Sequence, residues 1–179
     1  MLLVVDNGSV YTQNLIEFLE RKKIQFERNT PHFFDLNSLE NYNSIILSGR
    51  RKNEKRINEI NSKIVNFSIK TDTKLLGICY GAEILALTLG GTIRKTSPQK
   101  GKESVDILKE NPLFTNSINV FESHSFEISK LPQPLITLGK SKNCRYEIIQ
   151  YEKKHIYGTQ FHPEMSPNGH NLLENFCYL

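Results

Sequence analysis

Strand-length apolar runs alternate with amphipathic helical stretches through the first half of the chain, and that alternation leaves few folds open. Leu2-Leu3-Val4-Val5 is apolar at every position, the pattern of a strand covered on both faces. Asn7-Gly8-Ser9 breaks the run. Thr12 to Lys23 then carries Leu15, Ile16, Phe18 and Leu19, a helical stripe with Thr12 as its expected N-cap. Gln25 to Arg28 suggests a short strand, and Ser44-Ile45-Ile46-Leu47 another, ended by Ser48-Gly49. Asn53 to Ile69 sets Ile57, Ile60, Ile64, Val65 and Phe67 among charges, which predicts a second helix. Lys74 to Ile78 is a fourth strand, and Gly81 to Leu89 a third helix closed by Gly90-Gly91. Such alternation predicts an α/β fold with a doubly wound, mostly parallel sheet and right-handed crossovers. Reactive groups of such sheets collect beyond the C-terminal ends of the strands.

The second half changes character. Segments near 92–95, 102–108, 117–122, 134–138, 144–151 and 155–161 are short, β-branched and turn-bounded, which predicts antiparallel additions. A last helix is expected from about Asn168 to Cys177. No repeat, low-complexity tract or linker divides residues 1–179, so one domain is expected. A chain of 179 residues can build its core without a disulfide or metal staple. Its apolar runs fall far short of the roughly 20 residues a membrane-spanning helix needs. The N-terminus lacks the basic region and cleavage site of a signal peptide, so a cytoplasmic protein without membrane contact is expected.

Charge separates the remaining classes only weakly. Lys and Arg number 23 against 19 acidic residues, a net charge of +4. The basic residues gather at Arg50, Arg51, Lys52, Lys55 and Arg56, and again at Lys95, Lys100 and Lys102. Solvated surface is the expectation for both clusters, rather than a nucleic-acid face. Cys79, Cys144 and Cys177 are odd in number and widely spaced, with no metal-binding pattern. Neither a metal nor a cofactor is expected, and Cys144 and Cys177 suit packing. His32, His155 and His170 are isolated and expected to be surface or satisfied histidines.

One cysteine stands apart. In Leu75-Leu76-Gly77-Ile78-Cys79-Tyr80-Gly81-Ala82-Glu83, a buried strand enters Cys79 and a helix begins almost at once, with glycines on either side. This is the layout of a nucleophile elbow, in which a tight strand-to-helix turn exposes one side chain at the sheet edge. A thiol there has its thiolate favoured by the helix dipole, and the free amide of Tyr80 can meet an oxyanion. A buried structural cysteine fits this segment alone equally well. His155-Ile156-Tyr157-Gly158-Thr159-Gln160-Phe161-His162-Pro163-Glu164 supplies the missing base. His162 could take the thiol proton and return it to a leaving group, while Glu164 orients the imidazole.

Together these segments resemble the class I glutamine amidotransferases, a family with a Cys-His-Glu triad. Ser44 to Gly49 is similar to that family's loop before the oxyanion hole, Gly77 to Gly81 to its elbow, Tyr157 to Glu164 to its His and Glu strand, and Asn175-Phe176 to its closing helix. Within the family the chain is most similar to the separately encoded amidotransferase subunits of archaeal GMP synthases. The resemblance implies a flavodoxin-like fold and hydrolysis of glutamine through a thioester on Cys79. The ammonia would pass to a synthetase subunit of the ATP-pyrophosphatase kind.

Three positions depart from the family pattern. Glu83 stands where a substrate-holding Gln is usual, and an ionised carboxylate there lacks the amide's donor and opposes the thiolate. Ser48-Gly49-Arg50-Arg51 replaces Ser-Gly-Gly-Pro, so Arg50 is expected to be strained if its position needs a positive φ. Arg50 and Arg51 could bind a substrate carboxylate, although plain solvent exposure is the simpler expectation. Ser123-His124-Ser125-Phe126-Glu127 keeps a histidine but displaces the acid of the family's Ser-His-x-Asp, which suggests that His124 forms pocket wall. Three functions therefore stay open. They are a glutaminase subunit feeding a synthetase, a stand-alone hydrolase of another amide, γ-glutamyl, ester or lactone substrate, and a non-catalytic regulatory module. Besides the triad, Gly49, Arg50, Tyr80, Glu83 and His124 are the expected oxyanion and substrate residues.

Overall fold

In the computed structural model, which describes residues 1–114 and 116–179, the first four strands fall where the apolar runs place them. They are β1 (Leu2–Val5), β2 (Phe26–Asn29), β3 (Ser44–Leu47) and β4 (Lys74–Ile78), paired in parallel in the order β2-β1-β3-β4. Helices α1 (Thr12–Arg21), α2 (Lys55–Thr71) and α3 (Tyr80–Thr88) connect or follow them, and α4 (Pro167–Tyr178) closes the chain. The continuous apolar runs are explained by burial on both sides of the sheet. Leu2 and Val4 share one core with Leu15, Phe18 and Leu19 of α1 and Leu172 and Phe176 of α4. Leu3 and Val5 point the other way, into a core with Ile64 and Val65 of α2 and Leu85 of α3. Each such buried side chain contributes roughly 1.5–3 kcal/mol.

The expected cap of α1 is displaced by one residue. Thr12 is the first helical residue, Tyr11 holds the N-cap position without a side-chain cap bond, and the buried Thr12 hydroxyl has no partner among the described residues. Ser9 takes over part of the capping, since its Oγ accepts the Tyr11 N–H at 3.1 Å.

The second half builds antiparallel strands, but longer ones than the sequence suggests. The segments 92–95 and 102–108 are parts of one strand, β5 (Thr92–Ile107), which pairs with β6 (Ile118–Lys130). The register shifts between Lys95 and Gln99, around Pro98, so the proline sits where the ladder is already irregular. β7 (Leu135–Lys140), β8 (Ile148–Tyr151) and β9 (Ile156–Thr159) follow. Cys144 lies in the turn before β8 rather than in a strand. The sheet order is β2-β1-β3-β4-β9-β8-β7-β5-β6, parallel from β2 to β9 and antiparallel beyond. The chain thus makes an antiparallel excursion and returns with β9 to the middle of the sheet, directly beside β4. Among the described residues, no helix is long and apolar enough to cross a membrane.

Candidate active site

Cys79 ends β4 in a conformation that few residues adopt, with φ 51° and ψ −103°. Such backbone costs on the order of 1–3 kcal/mol and persists only where its surroundings impose it. Here they do. A Cβ on Gly77 would come within 2.3 Å of the Gly81 carbonyl, and one on Gly81 within 2.5 Å of the Leu47 carbonyl oxygen. Only glycines let α3 begin this close to the sheet. Across the elbow, the Cys79 N–H donates to Thr159 O at 2.6 Å, tying it to β9.

β9 leads directly to the base. The His162 N–H donates to Phe121 O of β6 at 2.9 Å, and His162 Nδ1 lies 2.8 Å from Glu164 Oε1. Pro163 opens the short 3-10 turn Pro163–Met165 that swings Glu164 back under the ring. With Nδ1–H directed at Glu164, Nε2 is left to the cysteine, and the two side chains are hydrogen-bonded. All three residues are close-packed, with His162 and Glu164 each 3% exposed. Burial pushes the Cys79 thiol up, and the hydrogen bond and charge of His162 pull it back down. Burial alone would discharge His162, but Glu164 and Cys79 outweigh it and raise the imidazole well above its ordinary value. The trio can therefore hold a neutral thiol and pass its proton to an imidazole made strongly basic.

Gly49 is part of the same assembly. A Cβ there would lie 3.0 Å from His162 Cε1, so the glycine makes room for the ring. Its loop is pinned from behind. The Asn7 N–H donates to Ser48 Oγ at 2.9 Å, Asn7 Nδ2 donates to Ser48 O at 2.9 Å, and Asn61 Nδ2 donates to Asn7 Oδ1 at 2.7 Å. Gly8 and Arg50 form an isolated antiparallel bridge in front. The strain expected at Arg50 does not arise, because the non-glycine residues with positive φ are Lys23, Asp72, Cys79 and Lys153. Nor does Arg50 simply face solvent. Its guanidinium lies 4.0 Å from the centre of the Tyr80 ring and donates to Asn53 Oδ1 and Asn58 Oδ1. Arg51 is exposed, as expected.

A cavity of about 420 Å³ opens over Cys79, walled by Arg50, Tyr80, Glu83, Lys100 and His124 among others. The two basic clusters, far apart in sequence, meet at its rim through Arg50, Arg51 and Lys100. Tyr80 is buried rather than at the mouth, its hydroxyl donating to Asn58 Oδ1 at 2.9 Å. Its main-chain N–H lies in the first turn of α3, where helical amides have no intrahelical acceptor. Glu83 is 4% exposed; burial pushes its carboxyl up, while Arg50, Gln160 and His124 draw it down. When ionised it also raises the Cys79 thiol.

His124 is pocket wall, as expected, but its acid is not Glu127, which pairs with Arg94. His124 Nε2 instead lies 3.1 Å from Glu122 Oε2, and its Nδ1 donates to Phe126 O. Glu122 in turn meets the buried Glu147, whose carboxyl is pushed up to about 9 by burial and by the charge of Glu122. Glu147 therefore carries a proton at neutral pH. Four of these neighbours are not singled out by the sequence: Glu122, Glu147, Gln160 and Tyr11. Gln160 Nε2 reaches to 3.9 Å from Cys79 Sγ, and the Tyr11 ring centre lies 4.6 Å from that of His162. Period-two spacing held a signal for two of them, since Gln160 precedes His162, and Glu122 precedes His124, by two residues. His170 is satisfied, stacked on Phe18 with Nε2 3.1 Å from Glu164 O. No cluster of three or more metal-binding side chains occurs among the described residues.

The fold and this arrangement define a cysteine-nucleophile hydrolase on a flavodoxin-like sheet. Residues 3–179 match the model of the glutamine amidotransferase class-I family, and the chain belongs to that family. It is 31% identical to the separately encoded, glutamine-hydrolyzing subunit of the GMP synthase of Methanocaldococcus jannaschii, over 99% of this chain and 96% of that one. The single-chain GMP synthase of Borreliella burgdorferi is 34% identical over 99% of this chain, which spans only 36% of that longer protein. Among solved structures, a protein from Thermoplasma acidophilum provisionally assigned as the corresponding GMP synthase subunit superposes with a TM-score of 0.87 at 27% identity, covering 99% of this chain and 92% of that one.

Proposed function

We propose that this chain hydrolyses glutamine and passes the ammonia to a separate GMP-forming synthetase subunit of the ATP-pyrophosphatase kind. The observation that carries the reading is the alignment of Cys79, His162 and Glu164 at a strained elbow, in a chain that matches separately encoded GMP synthase subunits almost end to end. In this scheme Cys79 Sγ attacks the side-chain amide carbon of glutamine while His162 Nε2 takes the thiol proton. The oxyanion is met by the Tyr80 N–H and by amides of the Gly49-Arg50 loop. The intermediate collapses as His162 returns the proton to the leaving nitrogen, releasing ammonia and leaving a γ-glutamyl thioester. Water, deprotonated by His162, then attacks the thioester carbonyl; glutamate departs and the thiol regains a proton. Glu164 holds the imidazole tautomer and offsets its positive charge throughout. Glu83, Arg50 and His124 contact the rest of the substrate.

Intact mass after treatment with a glutamine-mimicking diazoketone tests this, beside a plain alkylating agent and a Cys79→Ala control. Labelling at Cys79 that glutamine prevents is the expected result. Labelling by the plain agent alone would favour a second reading, a hydrolase of another acyl compound, for which the buried Glu83 beside the thiol is the specific ground. The synthetase is tested separately, by whether an added ATP-pyrophosphatase subunit raises glutamine turnover.

A further inference from the structure

A second cavity lies on the same edge of the sheet and takes no part in this chemistry. The chain leaves β1 for β2 on one side and then crosses to β3 on the other, so the strand order reverses at β1 and β3. In open α/β sheets the crevice beyond the strand ends at such a reversal is the characteristic ligand position. Here that crevice measures about 400 Å³, within the range of small-molecule sites. It is formed by the loops after β1, β2 and β3, with Pro31, Phe33 and Ile57 supplying apolar surface.

Its charges sort cleanly. Asp6 is saturated, its Oδ2 accepting from Arg28 Nε and Nη2 at 3.1 and 2.6 Å and its Oδ1 from the Gly8 N–H. Glu54 pairs with His32 at 3.2 Å. Arg51 and Lys52 also line the crevice and make no ion pair among the described residues. Phe33 stands at the rim with 89% of its surface exposed. A bare aromatic face, an apolar floor and two uncommitted cations together fit one kind of ligand.

We propose that the crevice at the ends of β1 and β3 binds a planar aromatic anion of the nucleoside monophosphate class, with its ring against Phe33 and its phosphate at Arg51 and Lys52. Arg51 lines both this crevice and the cavity over Cys79, so an occupant would sit against the loop that carries Gly49.

The chain contains no tryptophan, so Phe33→Trp places a single indole at the rim while keeping an aromatic face. Fluorescence of this variant, titrated with AMP, UMP, adenosine and inorganic phosphate, reads the site directly. Saturable quenching is expected with at least one monophosphate, about tenfold tighter than with adenosine or phosphate alone. Adding Lys52→Glu, an exposed change away from the cavity over Cys79, should weaken it about tenfold, and prior alkylation of Cys79 should leave it intact. The proposal is overturned if no monophosphate gives a saturable response, if adenosine binds as tightly, if Lys52→Glu changes nothing, or if alkylation of Cys79 abolishes the response.

Discussion

Cys79 and His162 come from opposite halves of the chain, and the two halves hold their side chains by different means. The first half sets Cys79 locally. Gly77 and Gly81 bring α3 against the sheet, and the elbow's strained backbone turns the thiol outward. The second half has no such device. His162 is placed by what converges on it: the carbonyl of Phe121, the carboxylate of Glu164, the Tyr11 ring and the space left by Gly49. A nucleophile can be built from a handful of consecutive residues, whereas its base requires the assembled molecule.

The sharpest test of this division is to remove one partner from each half. Cys79→Ala and His162→Ala should each lower kcat for glutamine hydrolysis by at least about 10⁴-fold, and the double variant should lose little more than the worse single. Steady-state assays of all three would break the comparison if the losses multiplied. Next in size is Glu164→Gln, which keeps the hydrogen-bonding shape but removes the charge. A kcat loss of roughly 10²–10⁴-fold is expected. Because Glu164 supports the raised imidazole, an NMR titration should find His162 losing its proton at a pH at least about one unit lower in this variant.

Smaller effects concern the acids around the cleft. Ionised Glu83 raises the Cys79 thiol, so Glu83→Gln should move the pH midpoint of Cys79 alkylation downward, by up to about one unit. An unmoved midpoint would mean that Glu83 stays neutral across the range. The last effect is on stability. Glu147 releases its proton near 9 in the folded chain but near 4.5 in the unfolded one. Below the lower value both states are protonated and the group is neutral to folding. Between the two values the unfolded state alone gains from ionising, so stability falls as pH rises. Glu147→Gln removes that slope, and its gain in Tm should be about 2 °C or more larger at pH 8 than at pH 5.

The same division governs what the sequence made legible. Leu2–Val5, Ser44–Leu47 and Lys74–Ile78 were readable because strands covered on both faces must be apolar at every position. Cys79 was readable because its glycines are neighbours in sequence. β5 was not readable as one strand, since most of its residues are exposed and polar and Ser97-Pro98 interrupts it. Pairing with β6 makes it continuous. Arg50 looked like surface because only the folded loop brings it over Tyr80. Glu122 and Glu147 looked equally ordinary. Their burial exists only once β6 and the turn before β8 come together, and no local pattern announces such a meeting.

The position of β9 has a consequence for how the protein is made. This strand is the last of the nine among the described residues, yet it occupies the centre of the sheet and supplies the carbonyl that anchors the Cys79 N–H. A chain emerging from the ribosome can form β1 to β4 early, through short-range contacts, but must leave the slot beside β4 empty until β9 is translated. The thiol is then present long before its base. A nascent chain that stops short of His162 is therefore inert, and turnover by this protein certifies that synthesis has passed that point.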